Sequence, residues 1–212
     1  MQTRLRGTLA DHLEVIRGLE PLLPEVERLA GRATGCLRAG GRIFWMGNGG
    51  SAADCQHLAA ELVGRFERDR SGLASIALTT DTSILTSVGN DYGFDRVFAR
   101  QVEALCRPED LLIALSTSGN SRNVLAALEV AAGIGTFCAG LSGGTGGRLR
   151  EATDLCLVVP SANTARIQEA HILIGHMLCD LVETALAAGP PRGGDRGGDA
   201  DPVPDSAGIG RS

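Results

Sequence analysis

The sequence predicts an α/β fold, a three-layer α-β-α sandwich built on a five-stranded parallel sheet. Three observations point there. Five short runs (residues 42–47, 73–78, 111–116, 136–141 and 155–159) are mostly apolar rather than alternating, the mark of strands buried on both faces. Segments with helical spacing separate them, centred near residues 58, 85, 98 and 126. Strands that alternate with helices along a chain pair in parallel, because each crossover needs a helix to return to the same end of the sheet.

Taken in order, residues from about 8 to 39 carry Leu9, Leu13, Ile16, Leu19, Leu22, Leu23, Val26 and Leu29 at helical spacing. Pro21 and Pro24 divide this stretch into two, since proline removes a helical donor and clashes with the preceding turn. Gly40 and Gly41 then lead into the first strand. A last helix is expected from about Asn163 to Ala188, beginning after Pro160. Residues 1–188 read as a single domain with an N-terminal helical segment. From Gly189 to Ser212 the character changes: four of the eight prolines fall there among Gly-Gly-Asp repeats, with almost no large apolar residue. Such a stretch cannot bury enough surface to order itself, so a disordered tail is expected.

Composition narrows the chemistry. The 212 residues are 43% hydrophobic and 21% charged, within the range of globular chains. A net charge of -5 with no basic run makes nucleic acid an unexpected partner. All 20 basic residues are arginine; the absence of lysine excludes Schiff-base aldolases, pyridoxal-phosphate enzymes and Walker-type phosphate loops. The six cysteines are widely spaced and form no C-x-x-C pair, so they read as reduced, structural thiols. No signal segment opens the chain and no uninterrupted apolar stretch reaches about 18 residues, so no membrane span is expected and the location reads as cytoplasmic.

Ligands of open parallel sheets bind at the carboxyl ends of the strands, so the loops there are the places to search. The first strand runs into Gly47-Asn48-Gly49-Gly50-Ser51, with a helix expected from Ser51 or Ala52. This is either an anion site made of close backbone and helix-start amides, or a tight turn capped by Ser51. After the third strand comes Ser116-Thr117-Ser118-Gly119-Asn120-Ser121, entering a helix near Arg122. Its hydroxyls and amides can surround a phosphate without lysine. Neither loop spells G-x-G-x-x-G, which disfavours a dinucleotide site. On the helix after the first loop, His57 and Glu61 share a face at i, i+4. They read as a proton-transfer pair, as two ligands of a divalent metal, or as an ordinary surface pair. The last helix carries Gln168, Glu169, His171 and His176. Gln168 and His176 lie roughly 12 Å apart along a helix, a long reach for one metal unless their side chains converge or two protomers contribute. His12, in the N-terminal helix, reads as inert. Asn90-Asp91-Tyr92-Gly93 reads as a turn between two helical patterns, able to offer an amide and a carboxylate to sugar hydroxyls.

Together these segments resemble the sugar isomerase (SIS) fold and, within it, the phosphoheptose isomerases. The resemblance rests on Gly47 through His57, then Glu61, Gly89-Asn90-Asp91, Ser116 through Ser121, and Arg166-Ile167-Gln168-Glu169, and covers roughly residues 5 to 187. It implies flavodoxin-like strand order and conversion of sedoheptulose 7-phosphate to D-glycero-D-manno-heptose 7-phosphate through an enediol, feeding nucleotide-activated heptose synthesis. It implies substrate contacts from Asn48, Gly49, Gly50, Ser51, Glu61, Asn90, Asp91, Ser116, Thr117, Ser118, Ser121 and Gln168. It further implies one Zn2+ per subunit held by His57, Glu61, Gln168 and His176, with Glu61 and His176 as the catalytic acid/base pair. A homotetramer with active sites between subunits follows from the same resemblance. Cys55 stands where the family carries a small residue such as alanine, and the tail after residue 188 is not a family feature. Two other readings share the fold: a non-catalytic tetramer that binds the bacterial replication initiator, and a sugar-phosphate sensor. The acid/base groups Glu61 and His176, absent from the non-catalytic relative, favour the enzyme.

Overall fold

The structure, a computed structural model, describes residues 1–187; the 189–212 stretch expected as a disordered tail lies outside the described residues. In chain order the elements are α1 (Gln2–Arg17), α2 (Leu23–Arg38), β1 (Ile43–Gly47), α3 (Gly50–Val63), β2 (Ser75–Ala77), α4 (Thr82–Tyr92), α5 (Ala99–Leu105), β3 (Leu111–Leu115), α6 (Arg122–Ile134), β4 (Phe137–Gly143), β5 (Leu155–Val159) and α7 (Thr164–Ala187). A short 3-10 turn at Glu20–Leu22, holding Pro21, separates α1 from α2, as the prolines predict.

The strand order is β2-β1-β3-β4-β5 and every pair is parallel. That is the flavodoxin-like order. Side chains alternate between two separate cores. Ile43 and Trp45 of β1, with Leu111, Ile113 and Leu115 of β3, face α2, α3 and α7. Phe44 and Met46, with Leu112 and Ala114, face α5 and α6. Both faces of β1 and β3 are therefore dry, and this is why those strands read as unbroken apolar runs.

The edges behave differently. β2 pairs only with β1, leaves Ile76 exposed, and keeps just three residues of the expected 73–78 run. β4 runs to Gly143, two residues beyond expectation. The expected turn at Asn90–Gly93 is instead the last turn of α4, which continues through Tyr92 and stops at Gly93 with φ 86°. Asn90 and Asp91 thus sit at a helix end rather than in a loop.

Helix α7 is the spine of one face. Asn163 caps it by accepting from the Ala165 N–H at 3.0 Å. By length and composition it could cross a membrane, with a mean hydropathy of 1.3 over 18 residues. Its apolar residues are spent otherwise: Ile167, Ala170, Ile174, Leu178 and Val182 pack into the core with α2, α3 and the sheet. Helix α1 has no buried residue and lies on α7 at the rim.

Within that core His171 is fully buried, with Nε2 3.1 Å from the Ser142 carbonyl and Nδ1 without a partner. Nε2–H donates and the ring stays neutral, because burial pushes its pKa down to about 4. An unfolded histidine takes up a proton below about 6.5, whereas the folded one does not until about 4. Unfolding therefore binds a proton in that window, and stability must fall as the pH drops through it. Urea midpoints recorded from pH 7.5 to 4.5 should fall more steeply for the native chain than for a His171→Leu variant; parallel curves would contradict the buried neutral ring.

Candidate active site

Chain reversal at β1 makes the site. The chain leaves β1 to form β2 on one side and returns to form β3 on the other, so the loops after β1 and β3 diverge and open a crevice between them. Asn48 heads the first loop and Ser116–Ser121 form the second.

A reciprocal amide pair joins them. Asn48 Nδ2 donates to Asn123 Oδ1 and Asn123 Nδ2 donates to Asn48 Oδ1, each at 2.8 Å. The Val124 N–H also donates to Asn123 Oδ1, at 2.9 Å. An N–H can only meet an oxygen, so this bond fixes which way the Asn123 amide points, and hence that of Asn48. Asn48 retains one N–H and one lone pair for a ligand. Asn123, buried at the start of α6, escaped sequence reasoning although it lies two residues past Ser121.

The hydroxyl loop is braced from below. Ser116 and Ser121 share a hydroxyl hydrogen bond of 3.0 Å, and Ser118 Oγ accepts from the Asn120 N–H at 3.2 Å. The Thr117 carbonyl accepts from Gly143 and the Gly119 carbonyl from Leu149. Thr117 and Ser118 open onto a cavity of about 240 Å3 shared with Thr145, Ser161 and Thr164. Ser51 behaves otherwise: α3 starts one residue earlier than expected, at Gly50, and Ser51 is buried in its first turn without a capping hydrogen bond.

The third component lies where α3 and α7 cross. His57 Nε2 is 3.3 Å from Glu61 Oε1 and 2.9 Å from His176 Nε2, with the two rings edge to face. The three ligand atoms all lie within 4.8 Å of one another. Among the described residues, no other group of His, Cys, Asp and Glu converges in this way. Two facing imidazole nitrogens beside a carboxylate oxygen form the donor set that a borderline divalent ion such as zinc prefers. The residues therefore fit a metal on their own chemistry.

Two glycines allow the helices to approach this closely. A Cβ on Gly175 would meet Leu58 Cδ1 at 2.4 Å, and Leu58 neighbours His57 as Gly175 neighbours His176. A Cβ on Gly50 would meet Gln168 Nε2 at 2.5 Å. Gln168 thus lies against the head of α3, while His57, Glu61 and His176 meet further along the same pair of helices. Asn90 and Asp91 are exposed and hydrogen-bonded to each other at 2.8 Å, and no other side-chain hydrogen bond joins them to the rest of the site.

Several residues around this centre were invisible to sequence reasoning. His12, read as inert, places Nδ1 2.7 Å from Glu169 Oε2. Glu169 also pairs with Arg166, which donates to the Thr8 carbonyl at 2.7 Å, so the cluster straps α1 to α7. Asp54 has one carboxylate oxygen buried without a partner; burial raises its pKa, against the opposing pull of His57. The Phe66 ring packs on His176 with centroids 5.4 Å apart. Glu183, fully buried on α7, accepts from the N–H groups of Phe66, Glu67 and Arg68. Burial alone would raise its pKa, but those three bonds and Arg70 outweigh it and hold the carboxyl below its ordinary value.

Substituting Gly175→Ala should force the helices apart, costing about 1–3 kcal/mol by overpacking. Denaturant melts should register that loss, and turnover should fall roughly tenfold or more because His57 and His176 separate. Native-like stability and turnover in this variant would refute the packing constraint.

Comparison with known proteins agrees with this fold. Residues 12–143 match the SIS domain family. A phosphoheptose isomerase from Rhodospirillum rubrum is 57% identical over 188 residues, covering 89% of this chain and all of that one. The solved phosphoheptose isomerase of Neisseria gonorrhoeae superposes with a TM-score of 0.82 at 43% identity, over 86% of this chain and 98% of that one. That of Francisella tularensis gives 0.83 at 38% identity, with the same coverage. The chain belongs to the SIS domain family and, within it, to the phosphoheptose isomerases.

Proposed function

We propose that the site interconverts sedoheptulose 7-phosphate and D-glycero-D-manno-heptose 7-phosphate, supplying nucleotide-activated heptose synthesis. The observation that carries this reading is the convergence of His57, Glu61 and His176 beside two loops rich in hydroxyl and amide groups. With no lysine in the chain, the sugar phosphate is held by Ser116, Thr117, Ser118 and Ser121 and by nearby backbone N–H groups. Asn48, Gly49, Gly50, Asn90 and Asp91 contact the sugar in this reading, with Ser51 supporting the loop from beneath.

The reaction moves one proton between C1 and C2 and another between their oxygens. Glu61 takes the proton from C1 of the ketose, while His176 donates one to the C2 oxygen, giving the enediol. Glu61 then returns its proton to C2, and His176 recovers one from the C1 oxygen. The two carboxylate oxygens of Glu61 allow it two duties: Oε1 faces His57, leaving Oε2 for the carbon acid. His57, Glu61, His176 and Gln168 would hold a zinc ion, which when bound supplies polarisation of the carbonyl oxygen. Gln168 lies against Gly50 at the head of α3, and in this reading it joins the set by extending its side chain or from a neighbouring subunit.

The assembly in this reading is a homotetramer with sites between subunits. The support is α1, which displays Leu5, Leu9 and Leu13 at successive turns, all exposed, and so offers an apolar stripe to other copies. Six free cysteines suit a reducing compartment, in keeping with a cytoplasmic location.

Incubation with sedoheptulose 7-phosphate, followed by NMR of the sugar carbons, tests the reaction. Aldoheptose phosphate should form in metal-loaded protein and not after chelation; product in both would retain the isomerase and remove the metal. Glu61→Gln and His176→Ala should each lose about 10²–10⁴-fold in turnover while remaining folded by circular dichroism. Near-native turnover in both variants would overturn the acid/base assignment. Light scattering should return the mass of four chains, and Leu9→Asp should lower it; a monomeric native protein would contradict the tetramer.

A further inference from the structure

Beyond the reacting groups, one buried device connects the two helices that carry them. The segment after α3 turns back past α7, and the Glu183 carboxylate gathers three successive backbone N–H groups from it: Phe66 at 3.0 Å, Glu67 at 2.8 Å and Arg68 at 2.8 Å. Arg70 completes the arrangement. Its Nε lies 3.1 Å from Glu183 Oε1, and its other nitrogens donate to the carbonyls of Glu61 (2.9 Å), Leu62 (2.8 Å) and Gly64 (3.1 Å). These are carbonyls at the end of α3, which have no helical partner. The Glu183 side chain is fully buried and that of Arg70 is 6% exposed, so the pair is dry.

A buried ion pair is seldom kept for stability alone, because its desolvation cancels much of its attraction. This one has a geometric consequence. Glu183 lies seven residues after His176, two turns along the same helix, and the backbone it grips is that of Phe66, whose ring packs on His176. Its partner Arg70 grips the carbonyl of Glu61 itself. A single carboxylate therefore ties the end of the helix bearing Glu61 to the wall against which His176 rests.

We infer that Glu183 is a positioning residue for the acid/base pair, acting through Phe66 on His176 and through Arg70 on the end of α3. The inference rests on the isomerase reading, and the role is one of orientation: Glu183 itself meets neither substrate nor metal.

The experiment compares the native chain with Glu183→Gln, Phe66→Ala and the double variant. In metal-free, substrate-free protein, the His176 ring resonance should shift in Phe66→Ala, which removes the ring current. It should shift the same way in Glu183→Gln, which frees the segment. At temperatures well below each melting point, kcat for sedoheptulose 7-phosphate should fall roughly tenfold in each single variant, with KM changed less than about threefold. The double variant should lose little more than the worse single one, because both act along one route. A merely structural Glu183 would instead leave the His176 resonance in place in folded protein, or its losses would multiply with those of Phe66→Ala; either result overturns the inference. Should Glu183→Gln fail to fold, Phe66→Ala decides alone: native kcat and an unmoved resonance reject the proposal. A native chain without turnover would count against the isomerase reading, while the resonance data would still judge the clamp.

Discussion

The crossing of α3 and α7 is the constraint from which the site follows. Packed helices keep their axes about 8–10 Å apart, the separation depending on the side chains at the contact, and small residues there allow the closest approach. Here Gly175 receives Leu58 and Gly50 receives Gln168, so contact is close at two points along the pair. Between and beside those points His57, Glu61 and His176 come within hydrogen-bonding range. The same approach buries Leu58, Ile174 and Leu178 against the sheet, so the packing that stabilises this face also assembles its chemistry.

Around that crossing, polar groups are fixed in orientation by partners that allow no alternative. A backbone N–H sets the Asn123 amide, which sets Asn48. Three backbone N–H groups and an arginine set Glu183, which grips the segment behind His176. Groups held by several partners in this way have little freedom to turn, and fixed orientation is what proton transfer between positioned groups requires.

The outer face of α1 stands apart from this economy. That face contributes nothing to the core, whereas Val15 and Ile16 on the inner side pack against it, and the helix is tied to α7 through His12 and Thr8 to Glu169 and Arg166, which flank Gln168. Packing of further copies on the α1 stripe would therefore press on the helix that carries half of the site.

Much of the fold was legible in the residues themselves. Strands dry on both faces must be apolar throughout, and helices between them must carry 3.6-residue spacing, so β1 and β3 and the division at Pro21 and Pro24 could be read directly; β5, an edge strand with Cys156 and Val158 half-buried, was legible because its outer face is apolar too. Element ends could not: β2 keeps only three residues, and α4 continues through Asn90 and Asp91 because Gly93, not the Asn-Asp pair, stops it. The site divides likewise. Local sequence determined the two ligand loops and the His57–Glu61 pair, since these depend on neighbours within one turn. That His176 joins that pair was implied by the family resemblance and not by any local pattern; only the tertiary structure decided that His12 is an anchor, and that Asn123, Phe66, Arg70 and Glu183 stand behind these groups. Those partners lie between 75 and 157 residues apart in the chain for Asn48–Asn123, Phe66–Glu183 and His12–Glu169. No periodicity spans such distances; only the packing of the helices across the sheet makes them neighbours.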